Sequence, residues 1–138
     1  RRVRCVQRIG RRGLSSACIE GMLATAAPFI AVMDADLQHD ESVLPAMLAR
    51  LRAGEADLVV GSRYAAGGST GDWDAGRARL SRLATRASRL VTRAELSDPM
   101  SGFFMLRREV LEASVRRLSA IGFKILLDLL ASADRPLQ

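Results

Sequence analysis

The stretch AVMDADLQHD (31–40) puts three carboxylates into ten residues directly after an apolar run. Asp34 and Asp36 flank a single alanine, and Gln38 adds an amide oxygen two residues on. Like charges this close repel one another unless a cation sits between them. Two aspartates and an amide are hard oxygen donors of the kind Mg²⁺ or Mn²⁺ takes, with positions left open for substrate phosphates. D-x-D alone is a weak signal, and a surface turn with acidic caps is the plain alternative. Position favours the metal. Ligands of open α/β sheets bind off the carboxyl ends of the strands, and residues 29–33 read as such a strand.

A second constellation carries the opposite charge. Gly61-Ser62-Arg63-Tyr64 follows the next strand-like run, so Arg63 should emerge at the same sheet edge. Beyond a glycine-rich loop come Trp73, Arg77 and Ser81, the last two one helical turn apart. Arginines and a hydroxyl at a helix start make a cradle for phosphate. The chain as a whole is basic, with net charge +6, and Lys124 is its only lysine. Arginine forks fit phosphate better than an ammonium does. A phosphate-bearing molecule, a nucleic acid or an anionic membrane is therefore a better partner than a cationic one.

The elements that must hold these residues follow from periodicity. Residues 3–8 (VRCVQR) read as a short strand, and 14–26 as a helix stopped by Pro28. The β-favouring run 29–33 fits a buried parallel strand. Asp40 caps a helix through Leu51 with Val43, Leu44, Met47, Leu48 and Leu51 on one face, and Gly54 closes it. Residues 58–61 form the next strand, which makes the strand-helix-strand grammar of an α/β sheet. A loop over 65–76 then leads to a long helix over 77–94 bearing a stripe of arginines at Arg79, Arg82, Arg86, Arg89 and Arg93. A turn and a strand-like run over 97–106 precede helices over 109–118 and 124–133. Phe103 to Leu106 and the leucines of the last helix read as core. No linker or repeat divides the chain, so residues 1–138 are one domain.

Five segments together resemble the inverting family-2 glycosyltransferases, in particular the dolichol-phosphate mannosyltransferase group and its bacterial polyprenyl-phosphate relatives. They are MDADLQHDE, DLVVGSRYAAGG, the W-x-x-x-R-x-x-x-S of Trp73, Arg77 and Ser81, DPMSGFF and GFKILLDLL. The resemblance implies a GT-A fold, a Rossmann-like mixed α/β sheet flanked by helices. It implies transfer of a hexose, mannose first, from a nucleotide sugar (GDP-mannose or a UDP-hexose) to a polyprenyl phosphate. Carried over, Asp34, Asp36 and Gln38 hold Mg²⁺ or Mn²⁺ on the donor diphosphate, while Arg63, Arg77 and Ser81 bind the acceptor phosphate. Asp36, Arg63 and Arg77 carry the catalytic work, and Asp98 and Lys124 line the site. The acceptor places the protein at a membrane surface, peripheral on the cytoplasmic face. Members of the group begin with nucleotide-gripping strands that have no counterpart here. The expectation is thus a partial GT-A domain with those N-terminal strands missing, a truncated catalytic domain inactive by itself.

Two other classes compete. Aspartate-nucleophile phosphatases also place D-x-D after a strand, but they want Thr or Val where Gln38 stands, and an acidic doublet beside a lysine. A basic module could lay its arginine helix on nucleic acid or anionic lipid. With six aromatics and no recognised binding motif, the nucleic-acid version is the weaker, and no nucleic-acid partner is expected. Cys5 and Cys18 lack CxxC spacing and partner histidines, so they read as free thiols of a reducing compartment. His39, beside the acids, receives no role.

Overall fold

The computed structural model describes residues 3–62 and 98–138. Arg63, Arg77 and Ser81, the glycine-rich loop and the arginine-striped helix lie outside the described residues.

The sheet is built around one short apolar strand. β1 (Phe29–Met33), β2 (Leu58–Val60) and β3 (Phe103–Arg107) form a sheet of order β1-β3-β2. β3 is antiparallel to both neighbours, with Met33 opposite Phe103 and Val60 opposite Phe104. β1 and β2 therefore run the same way, and their carboxyl ends reach the same edge as the start of β3. Alternate side chains of a strand leave on opposite faces, and both faces of β3 are covered. Phe103 and Met105 pack with Met47 and Leu51 of α2 (Leu44–Arg52). Phe104 and Leu106 pack on the other side with Met22 of α1 (Leu14–Leu23), Val110 and Leu111 of α3 (Arg108–Ser114) and Leu126 and Leu129 of α4 (Ile125–Ser132). At about 1.5–3 kcal/mol for each fully buried side chain of this size, β3 is the main anchor of a helix-sheet-helix sandwich.

Helix ends explain the local geometry. Asp40 accepts a hydrogen bond from Ser42 N at 2.9 Å and so caps a 3₁₀ turn, Glu41–Val43, that runs into α2. Hydrogen bonding from Ser42, through its side chain first and its N–H second, holds the exposed Asp40 carboxyl below the usual carboxylate range. α2 buries Met47 and Leu51 and ends at Gly54, whose φ of 73° lies in the left-handed region that glycine enters freely. Of the expected face, Leu44 and Leu48 are half-buried and Val43 is exposed. α3 continues as a 3₁₀ turn, Val115–Arg117.

The α/β class holds, and three expectations are corrected. Residues 3–8 form no strand. Arg4 and Arg8 instead bond through their side chains to Ala24 O, Glu20, Gly13 O and Ser16 of α1 and its caps, so the segment lies along that helix. The first helix stops at Leu23, short of Pro28. β1 is not a buried parallel strand: only Ile30 is buried, and its partner in the sheet is the antiparallel β3. No helix among the described residues is long and apolar enough to cross a membrane.

Candidate functional site

β1 delivers Asp34 at its tip, where the antiparallel register sets it against the turn leading into β3. Asp34 N donates to Gly102 O at 3.1 Å. The turn 98–102 is tied to β2 as well. Ser101 Oγ lies 3.0 Å from Gly61 O, to which it donates, and accepts from Phe103 N at 3.1 Å. Gly61 N donates to Phe103 O at 2.9 Å. Gly61 has no side chain to spare: a Cβ there would stand 2.4 Å from the Phe103 ring. The ends of β1, β2 and β3 are thus laced into one platform.

Asp34 faces a cleft of about 110 Å³, whose wall includes Cys18, Val32, Ser101, Gly102 and Lys124. Asp34 and Lys124, both half-buried, bring a carboxylate and an ammonium to one cavity. Lys124 stands at the N-cap of α4, with its Nζ 4.9 Å above the Phe123 ring. Asp98 is 2% exposed, set in the turn whose Ser101 and Gly102 form the wall; Ser101 N donates to its backbone oxygen at 3.2 Å. Burial, and then the charge of Asp34, push the Cys18 thiol up, so it stays protonated at neutral pH.

Asp36 and Gln38 occupy the exposed loop that follows. Asp36 Oδ1 accepts from Gln38 N at 3.1 Å, an Asx turn that sets Leu37 at a φ of 62° with its side chain 98% exposed. His39 folds back on Phe103, ring centroids 5.3 Å apart, which explains that residue by packing. No group of three His, Cys, Asp or Glu able to hold a metal occurs among the described residues. Asp34, Asp36 and Gln38 offer two carboxylates and an amide, all hard oxygen; Asp34 lines the cleft, while Asp36 and Gln38 are exposed and not part of its wall. That set suits a cation that keeps most of its coordination for water and phosphate.

Of the residues singled out from the sequence, Asp34 and Lys124 come to one cleft; Ser101, Gly102 and Gly61, which were given no role there, hold the tip of β1 against the turn before β3. The one available signal was the Ser-Gly pair immediately before an apolar strand.

A family model described as Glycosyl transferase family 2 matches residues 1–114. Among curated relatives, the dolichol-phosphate mannosyltransferase of Pyrococcus furiosus is 39% identical over 130 residues, 93% of this chain and 36% of that protein. The protein of the same name from Saccharomyces cerevisiae is 40% identical over 136 residues, 97% of this chain and 49% of its own. That of Mycosarcoma maydis is 39% identical over 132 residues, covering 95% and 44%. The chain spans less than half the length of each of these three relatives.

Proposed function

The chain belongs to glycosyl transferase family 2, and we propose that it contributes the donor end of a centre moving mannose from GDP-mannose to a polyprenyl phosphate such as dolichyl phosphate. The observation that carries this is the D-x-D tip: Asp34 stands on a cleft wall shared with Lys124, while Asp36 and Gln38 follow in an exposed turn. The names of the relatives supply the sugar and the lipid.

In this reading Asp34, Asp36 and Gln38 would hold Mg²⁺ or Mn²⁺ for the donor diphosphate. The cation, when bound, stabilises the charge that builds on the departing diphosphate. Lys124 adds a positive charge inside the cleft, where a reduced dielectric strengthens it. Arg63, Arg77 and Ser81 grip the acceptor phosphate. One of its oxygens attacks the anomeric carbon as the bond to the diphosphate oxygen breaks, with inversion at that carbon. The acceptor is already an anion, so no strong general base is required. Positioning and charge supply the catalysis. A polyprenyl acceptor lives in a bilayer, which puts the protein at a membrane surface, on the cytoplasmic side where nucleotide sugars are found.

Calorimetric titration of Mn²⁺ with GDP-mannose, and then with UDP-glucose, into the purified chain tests the reading. Metal-dependent binding of GDP-mannose that is lost in Asp36→Ala supports it. A folded chain that binds neither donor sinks it.

A further inference from the structure

We propose that Gly102 is a positioning residue for Asp34: the missing side chain at 102 sets where the first aspartate's carboxylate stands in the cleft. This rests on the donor-site reading of Asp34. A Cβ added at Gly102 would lie 1.9 Å from Asp34 Oδ2, 2.4 Å from its Cγ and 2.9 Å from its Oδ1. The three nearest atoms all belong to one side chain, and Cβ atoms essentially never approach anything within 3.0 Å. Conformational freedom does not account for the glycine. The described glycines with positive φ are Gly10, Gly13, Gly54 and Gly122, and Gly102 is not among them. Space for the carboxylate is what the position requires.

The approach is held from both sides. Asp34 N bonds Gly102 O, which fixes the tip of β1 against the turn. Ser101 Oγ ties the turn to Gly61 O and Phe103 N, and Gly61 in turn lies against the Phe103 ring. Neither backbone can retreat without breaking these bonds, so a methyl group at 102 must displace the carboxylate by over an ångström. Asp34 and Lys124 share the cleft, and the displaced oxygen atoms no longer meet a donor diphosphate in register with Lys124. Misplacement by about 1 Å costs on the order of a hundredfold in sites that work by positioning.

A double-mutant cycle separates this from a general packing defect. Gly102→Ala, Asp34→Ala and the double variant are melted without ligand, then titrated with Mn²⁺ and GDP-mannose. Gly102→Ala is expected to lower Tm and to weaken metal-dependent donor binding by about tenfold or more. In the Asp34→Ala background the same methyl costs little or no Tm, because the atoms it would meet are gone. Should Gly102→Ala fail to fold, a double variant that folds supports the proposal equally. An equal loss of Tm in both backgrounds, a double variant that stays unfolded, or unchanged donor affinity in a folded Gly102→Ala overturns it. If Asp34→Ala binds donor as tightly as the parent chain, the donor-site reading fails and this proposal fails with it.

Discussion

Aspartates at opposite ends of the sheet meet opposite fates. At the amino end of β2, Asp57 is satisfied within the chain: Arg135 grips both its carboxylate oxygens at 2.9 Å, and Gln138 N donates to Oδ2 at 3.3 Å. Asp57 N and Leu58 N both donate to Gln138 O, so Gln138 is tied to the amino end of β2. Burial raises the Asp57 pKa, but the Arg135 fork, the Gln138 N–H and the charge of Arg107 outweigh it and hold the carboxyl below its ordinary range. At the other end, Asp34 and Asp36 follow β1 on a basic chain, and neither makes an ion pair among the described residues. A carboxylate matched by its own arginine is architecture. Asp34 on the cleft wall and Asp36 in the exposed turn have no such match among the described residues, and in the proposed reading they meet a donor and its cation brought from outside.

The largest effect that sharpens this contrast is the loss of one of the unmatched acids. Asp36→Ala should reduce Mn²⁺-dependent GDP-mannose binding by about a hundredfold or more and leave the ligand-free melting curve close to that of the parent, measured by calorimetry and circular dichroism. Damage to the shared core should erase the contrast. Phe104 of β3 is fully buried, so Phe104→Ala should cost about 3–5 kcal/mol of stability and weaken both ends together, as read by urea denaturation.

A smaller effect belongs to the matched acid. Asp57→Asn should lower Tm by no more than a few degrees, because the exposed Arg135 makes the pair a solvent-screened one, and donor binding should be unchanged. The smallest effect is the pH dependence of that pair. Asp57 has a depressed pKa in the folded chain, so its stabilisation is present above the unfolded carboxylate value of about 4 and is lost as pH falls through the folded one. Melting curves of the parent and Asp57→Asn should converge on acidification below about pH 4, and the difference between them should be constant from there to neutrality.

Much of the scaffold was legible because burial leaves a periodic trace. The runs read at 29–33, at 58–61 and at the end of 97–106 overlie β1, β2 and β3, and the apolar face ending at Leu51 lies on α2. Strand direction was not legible. A run such as FFML records that both faces are covered, and it carries no sign of which neighbour will pair with it or how. VRCVQR misled for a related reason: it alternates like a strand, yet Arg4 and Arg8 found partners on α1. At the candidate site, the spacing of Asp34, Asp36 and Gln38 suggests hard-oxygen chemistry, and Lys124 was pointed to by the family resemblance alone. Gly102 and Ser101 carry no such sign, since their roles come from an approach between segments far apart in the chain, and a glycine required for space looks like one required for a turn. The structure also separated two acids that spacing alone treats as a pair. Asp34 lines the cleft wall, while Asp36 stands exposed in its own Asx turn.

The most direct test of the contrast is a thermal melt of the parent chain, Asp36→Ala and Asp57→Asn, each with and without Mn²⁺ plus GDP-mannose. A ligand that binds only the folded state raises Tm through mass action. An upward shift of similar size is expected in the parent and in Asp57→Asn, and none in Asp36→Ala. A shift retained in Asp36→Ala, or abolished in Asp57→Asn, would contradict the assignment of the β1 tip as the donor site.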